Sequence, residues 1–298
     1  MKKSKSLQPK TYPILCKQNR YYCLYIKLYA RPEVQDEILK EEIAPLLERV
    51  KKIPFFHHFF FVRYADPEDH LRLRFFGNWQ FVHREPRKQI LKMAKRISTP
   101  KRLKYTLAYY RPEWERYGGK FGVRIAEQIF DYNSNLVLKF LQSSSTRNNS
   151  WSKIEFSLAS IEILLSALGF SLKDRDHWYY IWSGGLRRLL NERFQEQMIA
   201  KEITEPLAES LQSSVHKIRR NLWGYCQHQD RALLDALKQF YNNVKTVGKE
   251  IILEKSLISV PLGTLARSYV HMHFNRLGIN LEKEGLIIYI RAQKGSNK

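Results

Sequence analysis

Three basic side chains occupy alternate positions over residues 70–74. In His70-Leu71-Arg72-Leu73-Arg74, basic and apolar residues alternate with the period of two that is typical of a β-strand. A strand would point His70, Arg72 and Arg74 to one face. Adjacent guanidinium groups repel unless water screens them or an anion lies between them, and their planar fork matches a carboxylate or phosphate. The pattern indicates either an anion-binding wall or a solvent-exposed strand face with scattered basic residues.

A second group of candidate residues lies in the segment 111–119. Arg116 and Tyr117 precede the pair Gly118-Gly119, and paired glycines let a backbone approach a ligand closely or adopt a positive φ. Arg116 could therefore clamp the same anion. Taken alone, the segment is most simply a charged surface turn.

A third group lies over residues 269–276. On a helix, His271 and Asn275 are four residues apart and share a face, whereas His273 points elsewhere. A histidine beside an arginine pocket could serve as a general acid or base, and the plainer alternative is a histidine satisfied in the core. Two histidines two apart on a helix are a poor metal pair, so we expect no metal site.

The elements that must position these residues indicate an α+β fold. The strand-rich N-terminal half has predicted strands at 21–29, 59–64, 70–76 and 102–110, with helices at 33–52, 87–97 and 123–141 packed on them. The polar stretch 142–150 is the best internal boundary. The mostly helical C-terminal half has predicted helices at 153–168, 174–193, 205–225, 231–250 and 261–277, and a last strand at 285–291. We predict a basic lead-in over residues 1–20 and one domain over 21–298.

Composition narrows the classes of protein further. A hydrophobic fraction of 44% over 298 residues supports a packed core. No signal peptide and no run of about 18 apolar residues is visible, so we expect a cytoplasmic protein without a membrane span. Cys16, Cys23 and Cys226 lack paired short spacings and are predicted to be reduced thiols. The net charge of +22 attracts nucleic acid, acidic peptides or an acidic partner protein, and does not choose among them.

Several of these segments together resemble one family, the C-terminal elimination domain of lantibiotic dehydratases, also called thiopeptide-type bacteriocin biosynthesis proteins. Residues 61–67 and 70–75 are similar to its pattern F-x-R-Y-x-D-P…H-L-R-L-R. Residues 110–119, with Ala126, Glu127, Phe130 and Ser134, are similar to Y-x-P-E-x-E-R-Y-G-G and the helix that follows. Residues 270–277 are similar to H-M-x-x-N-R. The resemblance spans residues 21–289, and one departure is Asn133, where the family often has Asp.

The resemblance implies an activity, the elimination of glutamate from glutamylated serine and threonine of a precursor peptide to give dehydroalanine and dehydrobutyrine. Arg72, Arg74 and Arg116 would hold the glutamyl group and stabilise negative charge. His271 would transfer the proton, with His273 as the fallback, although the base could also be the leaving glutamate or another residue. The residues expected to bind substrate are His70, Tyr117, Asn275 and Arg276. No cofactor is expected.

The resemblance also implies partners. Full-length dehydratases carry a preceding glutamylation domain, so we expect this chain to work with a separate glutamylating subunit on a glutamylated precursor peptide. Transfer RNA would be met only indirectly through that subunit. No membrane partner is expected, and a homodimer is left open.

Two alternatives compete with elimination. Thiopeptide pyridine synthases are relatives of similar size that join two dehydroalanines by a formal [4+2] cycloaddition and release the leader peptide. That reaction has no glutamate to bind, so the intact arginine motifs favour elimination. The other alternative is a non-catalytic subunit that binds precursor peptide or tRNA.

Overall fold

The computed structural model describes residues 22–101, 103–143, 151–198, 201–227 and 230–293, with the side chains of all of these except 98–101 and 186–208. The predicted lead-in, Cys16 and most of the predicted boundary at 142–150 lie outside these ranges. Cys23 and Cys226 are free thiols. Within the described residues no single helix is long and apolar enough to cross a membrane; one helix pair, residues 153–167 with 172–185, meets that test together despite a bend of 118°.

The N-terminal half is built on a four-stranded antiparallel sheet, which confirms the predicted α+β class. The strands are β1 (Tyr22–Tyr29), β2 (Phe56–Ala65), β3 (Asp69–Gly77) and β4 (Tyr105–Ala108). Their order is β2-β3-β1-β4, so β3 lies between β2 and β1. Alternation along β3 buries Leu71, Leu73 and Phe75 completely. The apolar residues of β3 therefore share one face of the sheet, and its basic residues lie on the other.

Helices cover the sheet and form the C-terminal half. They are α1 (Pro32–Ile38), α2 (Ala44–Val50), α3 (Trp79–His83), α4 (Glu85–Lys101), α5 (Lys120–Ser143), α6 (Lys153–Ala167), α7 (Leu172–Met198), α8 (Lys201–Arg220), α9 (Leu222–Cys226), α10 (Arg231–Leu253), α11 (Leu262–Leu277) and α12 (Leu281–Gln293). A π-helical turn, Leu39–Ile43, joins α1 to α2, and a 3-10 turn, Lys255–Leu257, follows α10. The single helix predicted at 33–52 is thus interrupted, and the one predicted at 205–225 is divided between α8 and α9.

The predicted last strand at 285–291 is wrong, because these residues belong to α12. The run Leu286-Ile287-Ile288-Tyr289-Ile290 has the composition of a strand. However, Ile287, Ile288 and Arg291 recur at helical spacing and are buried where α12 packs on α7 and α8. Tertiary burial of one helical face has overridden the local β-propensity.

The free edge of β2 is capped by side chains of two helices. Three alternate amides donate to them: Phe59 N to Asp131 Oδ1, Phe61 N to Ser134 Oγ and Arg63 N to Asn275 Oδ1. Asn275 also donates from Nδ2 to the Arg63 carbonyl at 2.8 Å. Its side-chain amide thus makes the same pair of hydrogen bonds with β2 that the backbone of an adjacent strand would make. These bonds satisfy the edge donors and fix α5 and α11 against the sheet.

A buried ion network holds the C-terminal helices together. Arg291 of α12 donates from Nε to Glu162 of α6 at 2.6 Å and from Nη1 to Asp176 of α7 at 2.9 Å. Arg175 also pairs with Glu162 at 2.6 Å, and Arg219 pairs with Asp176. Only 1% of the Arg291 side chain and 2% of the Glu162 side chain are exposed. The network sets the position of α12, which matters for the site below.

Candidate functional site

His70 and Arg72 form one end of the basic row on β3. His70 is fully buried; its Nδ1 lies 2.7 Å from the Glu68 carbonyl, and its Nε2 accepts a hydrogen bond from Arg72 Nε at 3.2 Å. Because a carbonyl can only accept, Nδ1 carries the proton. Burial lowers the pKa of His70, the Glu68 carbonyl opposes this, and Arg72 adds to it. The Arg72 guanidinium also lies 3.3 Å above the Tyr64 ring. Both ring nitrogens of His70 are thus engaged, and the histidine orients Arg72.

Arg74 is held in a cage of aromatic rings. Its guanidinium carbon lies 4.8 Å from the ring centre of Tyr110, 4.9 Å from that of Tyr25 and 5.2 Å from that of Phe60. Ring faces stabilise the cation without using its N–H donors. Its buried Nε has no hydrogen-bond partner among the described residues. The rings therefore hold the Arg74 guanidinium in place and leave N–H groups that can donate hydrogen bonds to an anion.

A mostly buried carboxyl group lies near Arg74. Tyr110 donates a 2.7 Å hydrogen bond to Oε1 of Glu127 on α5. Burial raises the pKa of Glu127 to about 7, while Tyr110 and Arg74 oppose the shift. Glu127 can therefore gain or lose a proton near neutral pH, which is the range that acid–base catalysis needs.

Arg116 is tied to α11 by the loop that carries it. Its Nε lies 3.5 Å from the Ser268 hydroxyl, and its Nη1 pairs with Glu113 at 3.1 Å. Gly118 has φ +75°, and a Cβ there would lie 2.7 Å from Ile258 Cγ2. The turn therefore needs glycine both for its conformation and for its close packing on the segment that leads into α11.

Arg276 is a fully buried cation without a carboxylate partner. It donates to Ser134 Oγ, Asn133 Oδ1 and the Met272 carbonyl at 3.0–3.3 Å. No Asp or Glu oxygen of the described chain lies within ion-pair distance, and Nη2 has no hydrogen-bond partner there. Burial lowers the pKa of Arg276 to about 9, with Arg74 acting in the same direction. A buried charge of this kind is costly unless a ligand compensates it.

Three of these cations lie around Tyr117. Burial raises the pKa of Tyr117 to about 12, and Arg116, Arg276 and Arg74 all oppose that shift. The Tyr117 ring stacks nearly parallel on Tyr269, with 6.1 Å between centroids. The buried Tyr269 hydroxyl also lacks a partner among the described residues. The Arg116 guanidinium lies 5.6 Å from the Tyr117 ring centre, and the Phe130 ring contacts Tyr117, Arg276 and the Phe60 ring on which Arg74 packs. These contacts bring Arg74, Arg116, Arg276 and Tyr117 into one cluster, hereafter the cation cluster.

The two histidines of α11 occupy different environments. His273 is 1% exposed; Asn133 Nδ2 donates to its Nδ1 and its Nε2 lies 2.7 Å from Ser160 Oγ. Burial and Arg276 lower the pKa of His273 to about 3, so it is a neutral core residue. The His271 side chain is 36% exposed, and its Nδ1 lies 3.0 Å from Oε2 of the buried Glu284. His271 follows Ser268 by three residues, on the same side of α11 as the Arg116 contact.

Asn133 is a neutral hydrogen-bond partner of the buried Arg276. Its amide donates to His273 and accepts from Arg276. An aspartate at this position would give Arg276 an ionic partner. With asparagine, the cation cluster keeps an uncompensated positive charge.

The predicted site residues are therefore distributed as follows. Arg74, Arg116, Tyr117 and Arg276 lie together, Arg72 lies beside Arg74 on β3, and His271 lies on the adjoining side of α11. The polar atoms of His70 and Asn275 are occupied by Arg72, Glu68 and Arg63. Glu127, Tyr110 and Glu284 were not predicted as site residues. The first two lie within the motif segments, whereas Glu284 adjoins the stretch predicted as a strand and carries no local signal.

Fold and site together define an α+β protein with a positively charged, partly buried cluster of side chains. A family model described as "Lantibiotic biosynthesis dehydratase C-term" matches residues 24–294. The chain therefore belongs to the lantibiotic dehydratase C-terminal family, as its motifs predicted.

Individual relatives agree with this assignment. The nisin biosynthesis protein NisB of Lactococcus lactis subsp. lactis is 26% identical over 273 residues, which cover 89% of this chain and 24% of NisB. The crystal structure of MibB, a tRNA-dependent lantibiotic dehydratase from Microbispora sp. 107891, matches with a TM-score of 0.68 at 20% identity, over 95% of this chain and 28% of MibB. The pyridine synthase TbtD from thiomuracin biosynthesis matches with a TM-score of 0.65 at 11% identity, over 92% of this chain and 97% of TbtD. The two structural matches show the fold, and this chain spans about a quarter of the length of NisB.

Proposed function

We propose that this chain eliminates glutamate from glutamylated serine and threonine residues of a ribosomally made precursor peptide. The observation that carries the proposal is the cation cluster. Arg74 Nε and Arg276 Nη2 are buried donors without partners among the described residues, and no carboxylate neutralises Arg276. Buried donors of this kind usually have a partner in folded proteins, and a bound anion can supply one here. A glutamyl ester carries a carboxylate and releases a second one on elimination, which matches the chemistry of the cluster.

The reaction requires a base and stabilisation of negative charge. The base removes the α-proton of the modified residue, a Cα–Cβ double bond forms, and the Cβ–O bond breaks to release glutamate. Arg72, Arg74 and Arg116 would stabilise the negative charge that develops on the enolate-like intermediate and on the departing carboxylate. His271 would take the proton, since His273 is enclosed in the core. Glu127, with a pKa of about 7, is a second group able to exchange a proton beside Arg74.

The remaining predicted residues would act at different distances from the substrate. Arg276 and Tyr117 would bind the glutamyl carboxylate within the cluster. We propose that His70 orients Arg72 and that Asn275 fixes α11 on the β2 edge, since their hydrogen bonds are already directed to those neighbours. A separate glutamylating subunit would supply the substrate, and tRNA would be met only through it.

The deciding experiment incubates the purified chain with a synthetic precursor peptide glutamylated at one serine and follows the products by mass spectrometry. Elimination yields free glutamate and a peptide that is one water lighter than its unmodified form. Hydrolysis of the ester would instead return the unmodified mass. If the glutamylated peptide persists unchanged, also with the glutamylating partner added, the proposal is wrong.

The pyridine synthase reaction remains the second candidate, because the match to TbtD covers nearly the full length of both chains. A cycloaddition of two dehydroalanines has no free carboxylate to hold, so the cation cluster would have no evident ligand. A peptide with two suitably spaced dehydroalanines distinguishes the candidates. Formation of a six-membered nitrogen ring with release of the leader peptide would favour the synthase, and an unchanged peptide favours elimination.

A further inference from the structure

His271 has a buried carboxylate as its immediate neighbour. The oxygens Oε1 and Oε2 of Glu284 lie 3.2 Å and 3.0 Å from Nδ1 of His271. The Glu284 side chain is 4% exposed, whereas that of His271 is 36% exposed. One ring nitrogen thus faces a buried acceptor, while about a third of the side chain remains exposed.

This geometry selects one tautomer of the imidazole. A carboxylate only accepts hydrogen bonds, so Nδ1 must carry a proton to contact both oxygens. In the neutral ring Nε2 is then unprotonated and free to accept a proton. The same carboxylate stabilises the imidazolium that forms once Nε2 has been protonated.

The surroundings of Glu284 indicate that this contact is its main polar role. No lysine or arginine of the described chain lies within ion-pair distance of Glu284, which leaves His271 as its ion-pair partner there. Glu284 is also in the first turn of α12, where the helix dipole favours a negative charge. Its helix is fixed independently by the Arg291–Glu162 pair, so the carboxylate approaches His271 on a preformed support.

We propose that Glu284 is a positioning residue that sets the tautomer and orientation of His271 for proton abstraction. The inference rests on the proposed elimination, in which His271 takes the α-proton. Glu284 does not touch the substrate; it acts through the ring it holds.

The test compares Glu284→Gln and Glu284→Asp with the unaltered chain in the glutamylated-peptide assay. For Glu284→Gln we expect kcat to fall roughly 10- to 100-fold while KM stays within about 2-fold, because the ring loses its anionic partner and the substrate contacts do not change. Glu284→Asp keeps the charge and should recover part of the lost kcat. Glu282→Gln removes an exposed carboxylate from the same turn of α12 and should leave kcat unchanged.

A second measurement does not depend on activity. ¹⁵N NMR of histidine-labelled protein, with the His271 signals assigned by their loss in His271→Asn, reports which ring nitrogen is protonated. We expect the Nδ1–H form in the unaltered chain and in Glu284→Asp, and a mixture of tautomers in Glu284→Gln.

The outcomes separate the two proposals. A kcat for Glu284→Gln within about 2-fold of the unaltered value, or an Nε2–H form of His271 in the unaltered chain, overturns the positioning role and leaves the proposed elimination standing. If the unaltered chain releases no glutamate, the proposed function fails, and the NMR result still decides whether Glu284 sets the tautomer.

Discussion

The Tyr110 hydroxyl donates a 2.7 Å hydrogen bond to Oε1 of Glu127, a mostly buried carboxyl group beside the aromatic rings that hold Arg74. Burial raises the pKa of Glu127 from 4.5 to about 7, so the folded protein holds this proton more tightly than the unfolded chain does. The stability contributed by Glu127 is therefore fully present below pH 4.5 and is lost as pH rises through 7.

Glu127→Gln should remove this pH dependence. The amide cannot ionise and still offers an oxygen to Tyr110, so the variant should be more stable than the unaltered chain above about pH 8, by up to about 3 kcal/mol, and equally stable near pH 4. Urea unfolding at both pH values measures the difference. Glu33→Gln, an exposed residue of α1, is the control. An unchanged or lower stability of Glu127→Gln at the higher pH would contradict the assignment.

Arg74 should be needed as a guanidinium and not only as a charge. In the glutamylated-peptide assay, Arg74→Ala should lower kcat/KM by about 10²- to 10³-fold, because a donor to developing negative charge is removed. Arg74→Lys keeps the charge but loses the planar fork, and should recover little of that loss. Arg84→Ala removes an exposed arginine that stacks on Trp79 and should have no effect. Elimination at the normal rate by Arg74→Ala would exclude a catalytic role for this residue.

Substitution of His271 should mainly reduce activity, whereas substitution of His273 should mainly reduce stability. His271→Asn removes the ring but keeps an amide N–H that can donate to the buried Glu284, so it should lower kcat by about 10²- to 10⁴-fold while the free energy of unfolding changes by less than about 1 kcal/mol. His273→Ala leaves Asn133 and Ser160 without their buried partner, and should reduce the free energy of unfolding by about 2–4 kcal/mol. Denaturant unfolding and the peptide assay on both variants check this. A fully stable but inactive His273→Ala protein would transfer the catalytic role to His273.

The buried pair of Glu162 and Arg291 should be essential for stability. Glu162→Gln removes the carboxylate that Arg291 and Arg175 share and should destabilise the fold by about 3–5 kcal/mol, since it leaves buried charge poorly compensated. Glu155→Gln, at the start of the same helix, should cost less than about 1 kcal/mol, because glutamine at this position can keep the capping contact with Ser152. Thermal unfolding of the two variants provides the comparison. Equal melting temperatures for both would show that the buried network contributes little.

Local patterns in the sequence predicted the four N-terminal strands, the two faces of β3 and the family. Polar and apolar residues alternate over residues 70–76, and this predicts the face of the strand on which each side chain lies. The prediction succeeds because the two-residue period of a strand depends only on the local backbone. It also placed Arg72 and Arg74 on one face and marked Arg116 through its glycine pair. Local composition failed for residues 285–291, where a helix forms because α12 buries one face against α7 and α8.

What the site residues can do depends on contacts between segments that are far apart in the chain. Spacing within α11 left His271 and His273 as alternatives, and contacts from other helices separate them: Asn133 encloses His273 from 140 residues away, while Glu284 orients His271 from the next helix. The uncompensated charge of Arg276 and the raised pKa of Glu127 likewise follow from burial among distant segments. The sequence specifies which chemical groups are present. Whether such a group is protonated, and whether its donors are free, depends on the low-dielectric surroundings that form when the chain folds.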